Sequence, residues 1–180
     1  MKRLIAFCGR KYSGKSSAAD CLQNHIGPSC YVFSFADEIK TQVAKIFGPY
    51  DPKKKDLLRP GYQTVGESAK QMFGLHVWVD QVASKIRKLE DSQAVIVIDD
   101  LRFPFERDWV KSMGGEVWRI IRPGTDKSDD THVSETEVDK VVSDQTFTNN
   151  FLPEFEQQIR RAYEQIQRKD SQGSQWRVRT

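Results

Sequence analysis

Residues Gly9 to Ser16 form the segment with the clearest chemical meaning. They match the pattern G-x-x-x-x-G-K-[ST], between an apolar run and a helical run. The glycines let the backbone N–H groups turn toward a phosphate. Lys15 would bridge the β- and γ-phosphates of a nucleoside triphosphate, and the Ser16 hydroxyl would bind Mg²⁺. The other phosphate-binding candidates in this loop are Gly9, Ser13, Gly14 and Ser17. The alternative is a glycine turn that happens to carry a lysine.

The second half of a metal site is expected after the apolar run Ala94–Ile98. Asp99 and Asp100 follow this run directly, as a carboxylate follows the Walker B strand of nucleotide-binding proteins. We predict that Asp99 holds Mg²⁺ through a water. The alternative is that Asp99 or Asp100 caps the next helix or pairs with Arg102.

Cations are needed wherever two polyanions meet, because phosphoryl transfer depends on spreading their charge. Arg102 and Arg122 lie just beyond the carboxyl ends of two predicted strands, the edge at which open α/β sheets bind ligands. We predict that Arg102 clamps a phosphate, the alternative being an ion pair with Asp99, Asp100 or Glu106. Arg122 would act as a clamp or in a lid. An acceptor that is itself a phosphate monoester would already be nucleophilic near neutral pH, and its phosphorylation would require no general base.

The elements that position these residues alternate along the chain. Apolar, β-branched or aromatic runs predict five strands: Leu4–Cys8, Tyr31–Phe35, Ala94–Ile98, Val117–Ile121 and about Gln145–Thr148. Helical patterns cover Ser16–His25, Asp37–Phe47, Val65–Phe73, Trp78–Leu89, Phe105–Met113 and Pro153–Lys169. This order predicts an α/β fold with a parallel sheet and right-handed crossovers. The polar segments Tyr50–Tyr62 and Pro123–His132 are typical of loops, and residues 170–180 of a loosely ordered tail.

Several motifs follow one another in a characteristic order. They are the phosphate loop, Phe35–Lys40, Gly74–Trp78, Asp99–Glu106 and His132–Thr136. With them the chain resembles, from Leu4 to about Phe155, the deoxynucleoside monophosphate kinases of tailed bacteriophages. The resemblance implies a P-loop NTPase fold like that of adenylate kinase, a five-stranded parallel sheet flanked by helices. It implies one domain of residues 1–169, with a monophosphate-binding insertion at about 50–90 and a short lid-like loop at about 123–134.

The activity implied by the resemblance is ATP- and Mg²⁺-dependent phosphoryl transfer to a (deoxy)nucleoside 5′-monophosphate, for nucleotide precursor supply. Asp37 and Lys40 would then lie on the monophosphate side, although Asp37 could instead be a helix N-cap. Lys70 stands in a region where the family tends to carry an arginine. Its ammonium group supplies positive charge but cannot bind a phosphate through two parallel hydrogen bonds, as a guanidinium can. Trp78 could stack on the acceptor base or be buried in the core.

Two candidates lie near the carboxyl-terminal end of the pattern. His132 could contact phosphate or close the lid, while Ser134 with Glu137 forms a capping-box pattern that by itself starts a helix. Asn149 and Asn150 follow the last predicted strand and could edge the adenine of ATP; we choose Asn150 as the cofactor-binding candidate. Turn asparagines would explain both residues equally well.

Composition limits the other functions. A chain of 180 residues, 38% hydrophobic and 29% charged, suits one folded domain, and its apolar runs are too short to span a bilayer. The net charge of +3 is too small to indicate nucleic-acid binding, and three cysteines without a C-x-x-C pattern fit a reducing compartment. We expect a cytoplasmic enzyme (host cytoplasm if phage-encoded) without nucleic-acid or membrane partners, with a homodimer left open. The alternatives are a kinase of another phosphorylated metabolite, similar to phosphomevalonate kinase or dephospho-coenzyme A kinase, or a non-kinase P-loop ATPase.

Overall fold

The computed structural model describes residues 2–49, 51–125 and 133–175. The strands are β1 (Arg3–Cys8), β2 (Cys30–Phe33), β3 (Val95–Leu101), β4 (Glu116–Ile121) and β5 (Gln145–Thr148). The helices are α1 (Lys15–Ile26), α2 (Phe35–Phe47), α3 (Lys55–Phe73), α4 (Val77–Arg87), α5 (Pro104–Ser112), α6 (Val133–Lys140) and α7 (Leu152–Gln175).

The strands form one parallel sheet in the order β2-β3-β1-β4-β5. The predicted five-stranded parallel sheet with flanking helices is confirmed. Because β1 lies between β3 and β4, the phosphate loop after β1 lies between the carboxyl ends of those two strands. The register pairs Ala6 with Ile98, which brings Asp99 beside the start of the loop. The topology therefore assembles the candidate site at one edge of the sheet.

Both faces of the sheet are buried, which explains the nearly continuous apolar strands. Ile5 and Phe7 of β1 pack in a cluster with α1 and α7 on one face. Leu4, Ala6 and Cys8 pack on the other face, in a cluster that includes residues of α4, α5 and α6. The central strand therefore holds the loop that follows it on a rigid base.

The prediction of a loop over Tyr50–Tyr62 was wrong for most of that segment. A 3-10 turn covers Pro52–Lys54, and α3 then begins at Lys55 with Pro60 inside it. The segment is polar, and Pro60 removes one helical hydrogen bond, so its local sequence does not favour a helix. α3 packs against α2 and α4, and such packing stabilises a helix of poor intrinsic propensity.

Other differences concern the ends of elements. β3 continues to Leu101, beyond the predicted end at Ile98, so that Asp99 and Asp100 belong to the strand. α7 extends to Gln175, past the predicted end at Lys169. Residues 126–132, which include His132 and much of the predicted lid-like loop, lie outside the described residues. Among the helices that the structure describes, none is long and apolar enough to cross a membrane.

Candidate active site

The phosphate loop needs glycine at both ends of its pattern. Gly9 has φ +148°, and a β-carbon there would lie 2.3 Å from the carbonyl oxygen of Ile120. Gly14 has φ +107°, and a β-carbon there would lie 2.3 Å from Nδ2 of Asn149. Both values are conformations that glycine adopts at little cost. The loop is therefore fitted closely against the ends of β4 and β5.

Asn149 supports this loop from below. Its side chain is buried, and Nδ2 donates a hydrogen bond to the carbonyl oxygen of Ser13 at 3.0 Å. Its backbone N–H donates to the carbonyl oxygen of Ile121 at 2.7 Å. Asn150, the predicted adenine-side candidate, is exposed and does not line the cleft. The structural role thus belongs to the first asparagine of the pair, which the sequence pattern did not distinguish from the second.

Lys15 begins α1 and folds back over the loop. Its Nζ donates to the carbonyl oxygens of Gly9 and Arg10, both at 2.8 Å, and the residue is only 8% exposed. Burial, followed by the nearby Arg102 guanidinium, lowers the pKa of Lys15 to about 8. The amino-terminal end of α1 adds its positive dipole at the same place. The ammonium of Lys15 and the helix dipole thus concentrate positive charge at the loop.

Ser16 and Asp99 meet where a magnesium ion would be held. The Ser16 hydroxyl donates to Oδ2 of Asp99 at 3.1 Å. Oδ1 of Asp99 is buried and has no hydrogen-bond partner among the residues described. Burial, then the neighbouring Asp100, raises the pKa of Asp99 to about 6. An unpaired carboxylate oxygen beside a hydroxyl fits Mg²⁺, which takes few protein ligands and completes its shell with water and phosphate.

Asp100 has a different task, because it caps a helix. Its Oδ1 accepts a hydrogen bond from the backbone N–H of Phe35 at 2.9 Å. Its Oδ2 accepts from the backbone N–H of Ala36 at 2.8 Å and from the Ser34 hydroxyl at 2.7 Å. The cap is on α2, which starts beside the end of β3 in space, and not on the next helix along the chain. Asp100 therefore caps a helix, but the predicted alternative of a cap on the next helix was wrong.

Arg102 is held by a carboxylate that the sequence analysis did not consider as its partner. Its guanidinium pairs with Oε1 of Glu135 on α6, and Nη2 of Arg59 on α3 contacts the same oxygen at 3.1 Å. The side chain of Glu135 is 1% exposed. Burial is the largest single effect and raises the pKa of Glu135, but Arg102, the backbone N–H of Lys11 and Arg59 together outweigh it, so the pKa lies below its ordinary value. The ion pair predicted as the alternative for Arg102 exists, but with Glu135.

The phosphate loop, α2, α3 and the end of β3 surround one cavity of about 430 Å³. Two carboxylates face it, Asp99 and Asp100, and Asp100 is already engaged in the cap of α2. Serine hydroxyl groups and six cationic side chains also line it: Ser16, Ser17, Ser34, Lys11, Lys15, Lys40, Arg59, Arg102 and Arg122. Arg122 is exposed at its rim. The excess of positive charge makes the cavity a site for anions.

The two predicted acceptor residues of α2 form a pair at this cavity. Nζ of Lys40, which lines the cavity, lies 2.6 Å from Oδ1 of Asp37. α2 begins directly after Ser34, so Asp37 lies in its first turn and is not the N-cap. The pair is partly exposed, and the carboxylate holds the Lys40 ammonium near the cavity wall.

A second, smaller cavity of about 130 Å³ adjoins the first and shares Asp100 and Arg102 with it. Three aromatic residues and four further polar residues contribute to its wall: Phe35, Trp78, Phe103, Gln63, Glu67, Lys70 and Glu106. The aromatic surface and the few polar groups suit a flat heterocycle.

The two predicted acceptor residues of the insertion lie in this second wall. Nε1 of the buried Trp78 donates to the carbonyl oxygen of Gly66 at 3.1 Å. Lys70 pairs with Glu67 at 2.7 Å and lies 4.1 Å from the centre of the Phe103 ring. Trp78 is thus both a core residue and part of the cavity wall. Lys70 faces this second cavity and does not line the larger cavity beside the phosphate loop.

Glu106 is the most deeply buried acid of the second cavity. Its Oε2 accepts hydrogen bonds from the backbone N–H groups of Arg102 at 2.7 Å and Phe103 at 3.0 Å. Burial raises the pKa of Glu106 to about 8, so the carboxyl group is largely protonated at neutral pH. It thereby fixes the turn that carries Arg102 and offers a neutral polar group to the cavity.

Two residues of this site were not predicted as such from the sequence, and a third has a role other than the predicted one. Arg59 was placed in a predicted loop, and Glu135 was overlooked within the His132–Thr136 motif. The support that Asn149 gives to the phosphate loop was not foreseen. The motif around Glu135 offered a signal, since an acid beside a basic cleft needs a partner, but the partner could not be identified from spacing.

Comparison with solved structures relates the fold of the chain to that of two small-molecule kinases. It is similar in fold to shikimate kinase from Aquifex aeolicus, with a TM-score of 0.55 and 13% identity, covering 89% of this chain and 96% of that one. It is also similar to dephospho-CoA kinase from Campylobacter jejuni, with a TM-score of 0.55 and 16% identity, covering 94% of this chain and 100% of that one. At such identities the likeness shows the fold alone, and that fold is the one predicted.

Sequence comparison is more specific. The family model described as "Deoxynucleotide monophosphate kinase" matches residues 59–159. A protein of Acanthamoeba polyphaga mimivirus that carries the provisional name deoxynucleotide monophosphate kinase is 30% identical over 183 residues, covering 87% of this chain and 93% of its own length. The matched region contains Arg59, Asp99, Arg102 and Glu135, the residues that the structure brings to the cleft. The chain therefore belongs to the deoxynucleotide monophosphate kinase family of phosphotransferases.

Proposed function

We propose that this nucleotide kinase transfers the γ-phosphoryl group of ATP, with Mg²⁺, to a (deoxy)nucleoside 5′-monophosphate. The observation that carries the proposal is the cavity into which a phosphate loop and six cationic side chains converge. One half of it offers a triphosphate site and the other half a site for a smaller anion. Membership in the family gives the reaction class, and the charges of the cavity support the arrangement of the two substrates.

The triphosphate half is the loop from Gly9 to Ser17. Its glycines allow the backbone N–H groups to face phosphate oxygens. When ATP binds, Nζ of Lys15 would leave the carbonyl oxygens of Gly9 and Arg10 and contact phosphate oxygens instead. Ser16 and Asp99 would hold Mg²⁺, which when bound neutralises charge on the β- and γ-phosphate oxygens. The unpaired Oδ1 of Asp99 supports this assignment.

The acceptor half lies toward α2 and α3. Arg59, Lys40 and Arg102 line the cavity there and would bind the monophosphate. The base would enter the adjoining smaller cavity, between aromatic surfaces such as Phe103 and Trp78. Lys70 would then contact the nucleoside and not the phosphate.

The transfer itself requires positioning and charge, not a base. A monophosphate with a second pKa of about 6 is mostly a dianion near neutral pH, so its oxygen can attack directly. Lys15 and Arg102 would reduce the repulsion between the two substrates and spread the charge that develops on the transferring group. Arg122, at the exposed rim, would complete this set when both substrates are bound. The products would be ADP and a nucleoside diphosphate.

The supply of nucleotide precursors in a host cell's cytoplasm is the role that fits this activity best. The mimivirus relative supports a viral origin. A homodimer remains a prediction.

An assay that couples ADP release to a panel of acceptors tests the proposal. The panel comprises dTMP, dGMP, dCMP, dAMP, the ribonucleotide counterparts and mevalonate phosphate, each with and without Mg²⁺. We expect Mg²⁺-dependent turnover with at least one nucleoside monophosphate and a loss of about 10³-fold or more for Lys15→Ala. Lys88→Ala, an exposed cation outside both cavities, is the matched control. Turnover confined to mevalonate phosphate, or a Lys15→Ala variant as active as the control, would refute the proposal.

A further inference from the structure

Glu135 is a buried acid behind two arginines of a cavity built for anions. Its side chain is 1% exposed, and its two oxygens contact three separate parts of the cleft. Oε1 pairs with Arg102 after β3 and with Arg59 of α3, while Oε2 accepts a hydrogen bond from the backbone N–H of Lys11 at 2.9 Å. A buried carboxylate is costly unless it is fully paired, and beside phosphates it would also repel the substrates. Its presence therefore requires a reason.

The helix that carries Glu135 is attached to the phosphate loop at two consecutive residues. Besides the bond to Lys11, the guanidinium of Arg10 binds the carboxylate of Asp139, with Nη2–Oδ2 at 2.6 Å and Nε–Oδ1 at 3.3 Å. Glu135 and Asp139 are four residues apart and lie on the same face of α6. The position of Glu135 is therefore fixed relative to the triphosphate half of the cavity.

The two arginines that Glu135 holds would otherwise repel each other. Their side chains are each about one-fifth exposed and line the same cavity, where Arg102 also lowers the pKa of Lys15. In the absence of an acid between them, Arg59 and Arg102 would favour separate, solvated positions. The Arg102 guanidinium has five N–H donors, so its contact with Glu135 leaves donors for a phosphate.

We propose that Glu135 is a positioning residue, which holds Arg59 and Arg102 together as one receptor for the acceptor phosphate and ties that receptor to the phosphate loop. This inference rests on the proposed function. The carboxylate does not touch the reacting atoms; it acts through the arginines. It thereby sets the position of α3, which carries Arg59, with respect to the triphosphate half.

Glu135→Gln removes the charge and keeps the shape. Glu137→Gln is the matched control, because it removes an acid of the same helix whose ion pair is with Lys140 of α6. We expect Glu135→Gln to lower kcat/KM for the acceptor by roughly 10- to 100-fold, as the loss of charge-assisted hydrogen bonds would, and to change KM for ATP less than threefold. Glu137→Gln should alter both parameters less than threefold. In an Arg59→Ala background, Glu135→Gln should lower kcat/KM for the acceptor by a smaller factor than in the native protein, because part of its effect passes through Arg59.

Calorimetric binding of dTMP, dGMP and inorganic phosphate provides a readout that does not need turnover. Removing an acid raises the positive potential of the cavity, so a merely electrostatic effect would tighten phosphate binding, whereas loss of positioning would weaken it at least about fivefold. Tighter or unchanged binding, equal losses in Glu137→Gln, or full additivity with Arg59→Ala would overturn the inference. A native protein that turns over no nucleoside monophosphate would refute the proposed function, while the phosphate-binding comparison would still decide the role of Glu135.

Discussion

The side chain of Asn149 occupies the space in which Gly14 lacks a β-carbon: such an atom would lie 2.3 Å from Nδ2 of Asn149, and that nitrogen donates to the carbonyl oxygen of Ser13. The end of β5 is thus joined directly to the turn that precedes Lys15. The phosphate loop depends on a residue more than a hundred positions away in the chain. This contact leads to the first prediction.

Asn149→Ala should lower the free energy of unfolding by about 1–3 kcal/mol, because the buried carbonyl of Ser13 loses its donor. ATP binding should weaken as well, since the loop loses its support. Urea unfolding and calorimetric ATP titration measure the two effects. The exposed neighbour Asn150 supplies the control: Asn150→Ala should change stability by less than about 0.5 kcal/mol. If Asn150→Ala weakened ATP binding as much as Asn149→Ala, the adenine-side role predicted for Asn150 would gain support.

The raised pKa of Asp99 predicts how the metal requirement depends on pH. Burial and Asp100 place this pKa at about 6, and a proton on Asp99 competes with Mg²⁺. As the pH falls below about 6, the affinity of the ATP-bound protein for Mg²⁺ should therefore drop, approaching tenfold per pH unit. Magnesium titrations followed by intrinsic fluorescence between pH 5 and 8 would measure this dependence.

The phosphates of ATP also take up protons in this pH range, and Asp99→Asn is the control for that effect. This variant should bind Mg²⁺ more weakly at every pH and retain only the pH dependence that belongs to the nucleotide. Equal pH profiles in the two proteins would show that Asp99 is not a ligand of the metal, directly or through water.

Glu106 should make the protein less stable as the pH rises. Its pKa is about 8 in the folded protein, because burial disfavours the charge, and ordinary in the unfolded chain. Between about pH 4.5 and 8 the folded state therefore binds more protons than the unfolded state, so stability falls with rising pH by at most about 1.4 kcal/mol per unit. Urea unfolding at several pH values in this window tests the sign.

In Glu106→Gln the amide oxygen can accept the same two backbone hydrogen bonds without titrating. The variant should therefore show a flatter dependence of stability on pH and a relative gain at pH 8. An unchanged slope would mean that the titrating group lies elsewhere.

The sequence was a good guide to whatever depends on local pattern or on strand order. The contact between Ser16 and Asp99 could be predicted. Ser16 follows β1, Asp99 lies near the carboxyl end of an apolar strand, and neighbouring parallel strands end at the same edge of the sheet. In contrast, the helix that begins at Lys55 could not be predicted from the sequence. Its stability comes from packing against α2 and α4 and not from the local residues around Pro60.

Partner choice among charged residues was the least predictable part of the site. Arg102 had three acids within a few residues, yet its side chain pairs with Glu135, and Arg59 joins the same carboxylate from a different helix. Ion pairs depend on where side-chain ends meet in space, and sequence spacing constrains those positions only within one helix. The same reason explains why Asp100 caps α2 and not the helix that follows it.

Lys15 should take up a proton when ATP binds at alkaline pH. In the free protein its pKa is about 8, because burial and then Arg102 disfavour the charge, whereas a bound phosphate favours it. The affinity for ATP should therefore fall as the pH rises above about 8, and binding at pH 8.5 should absorb about 0.7 proton per site. Calorimetry at pH 8.5 in two buffers of different ionisation enthalpy measures that uptake, which should nearly vanish at pH 7. ATP is fully ionised at pH 8.5, and Lys15→Met should bind weakly without uptake. Proton uptake that persists in Lys15→Met would assign the titration to another group and would mean that Lys15 is already charged before ATP arrives.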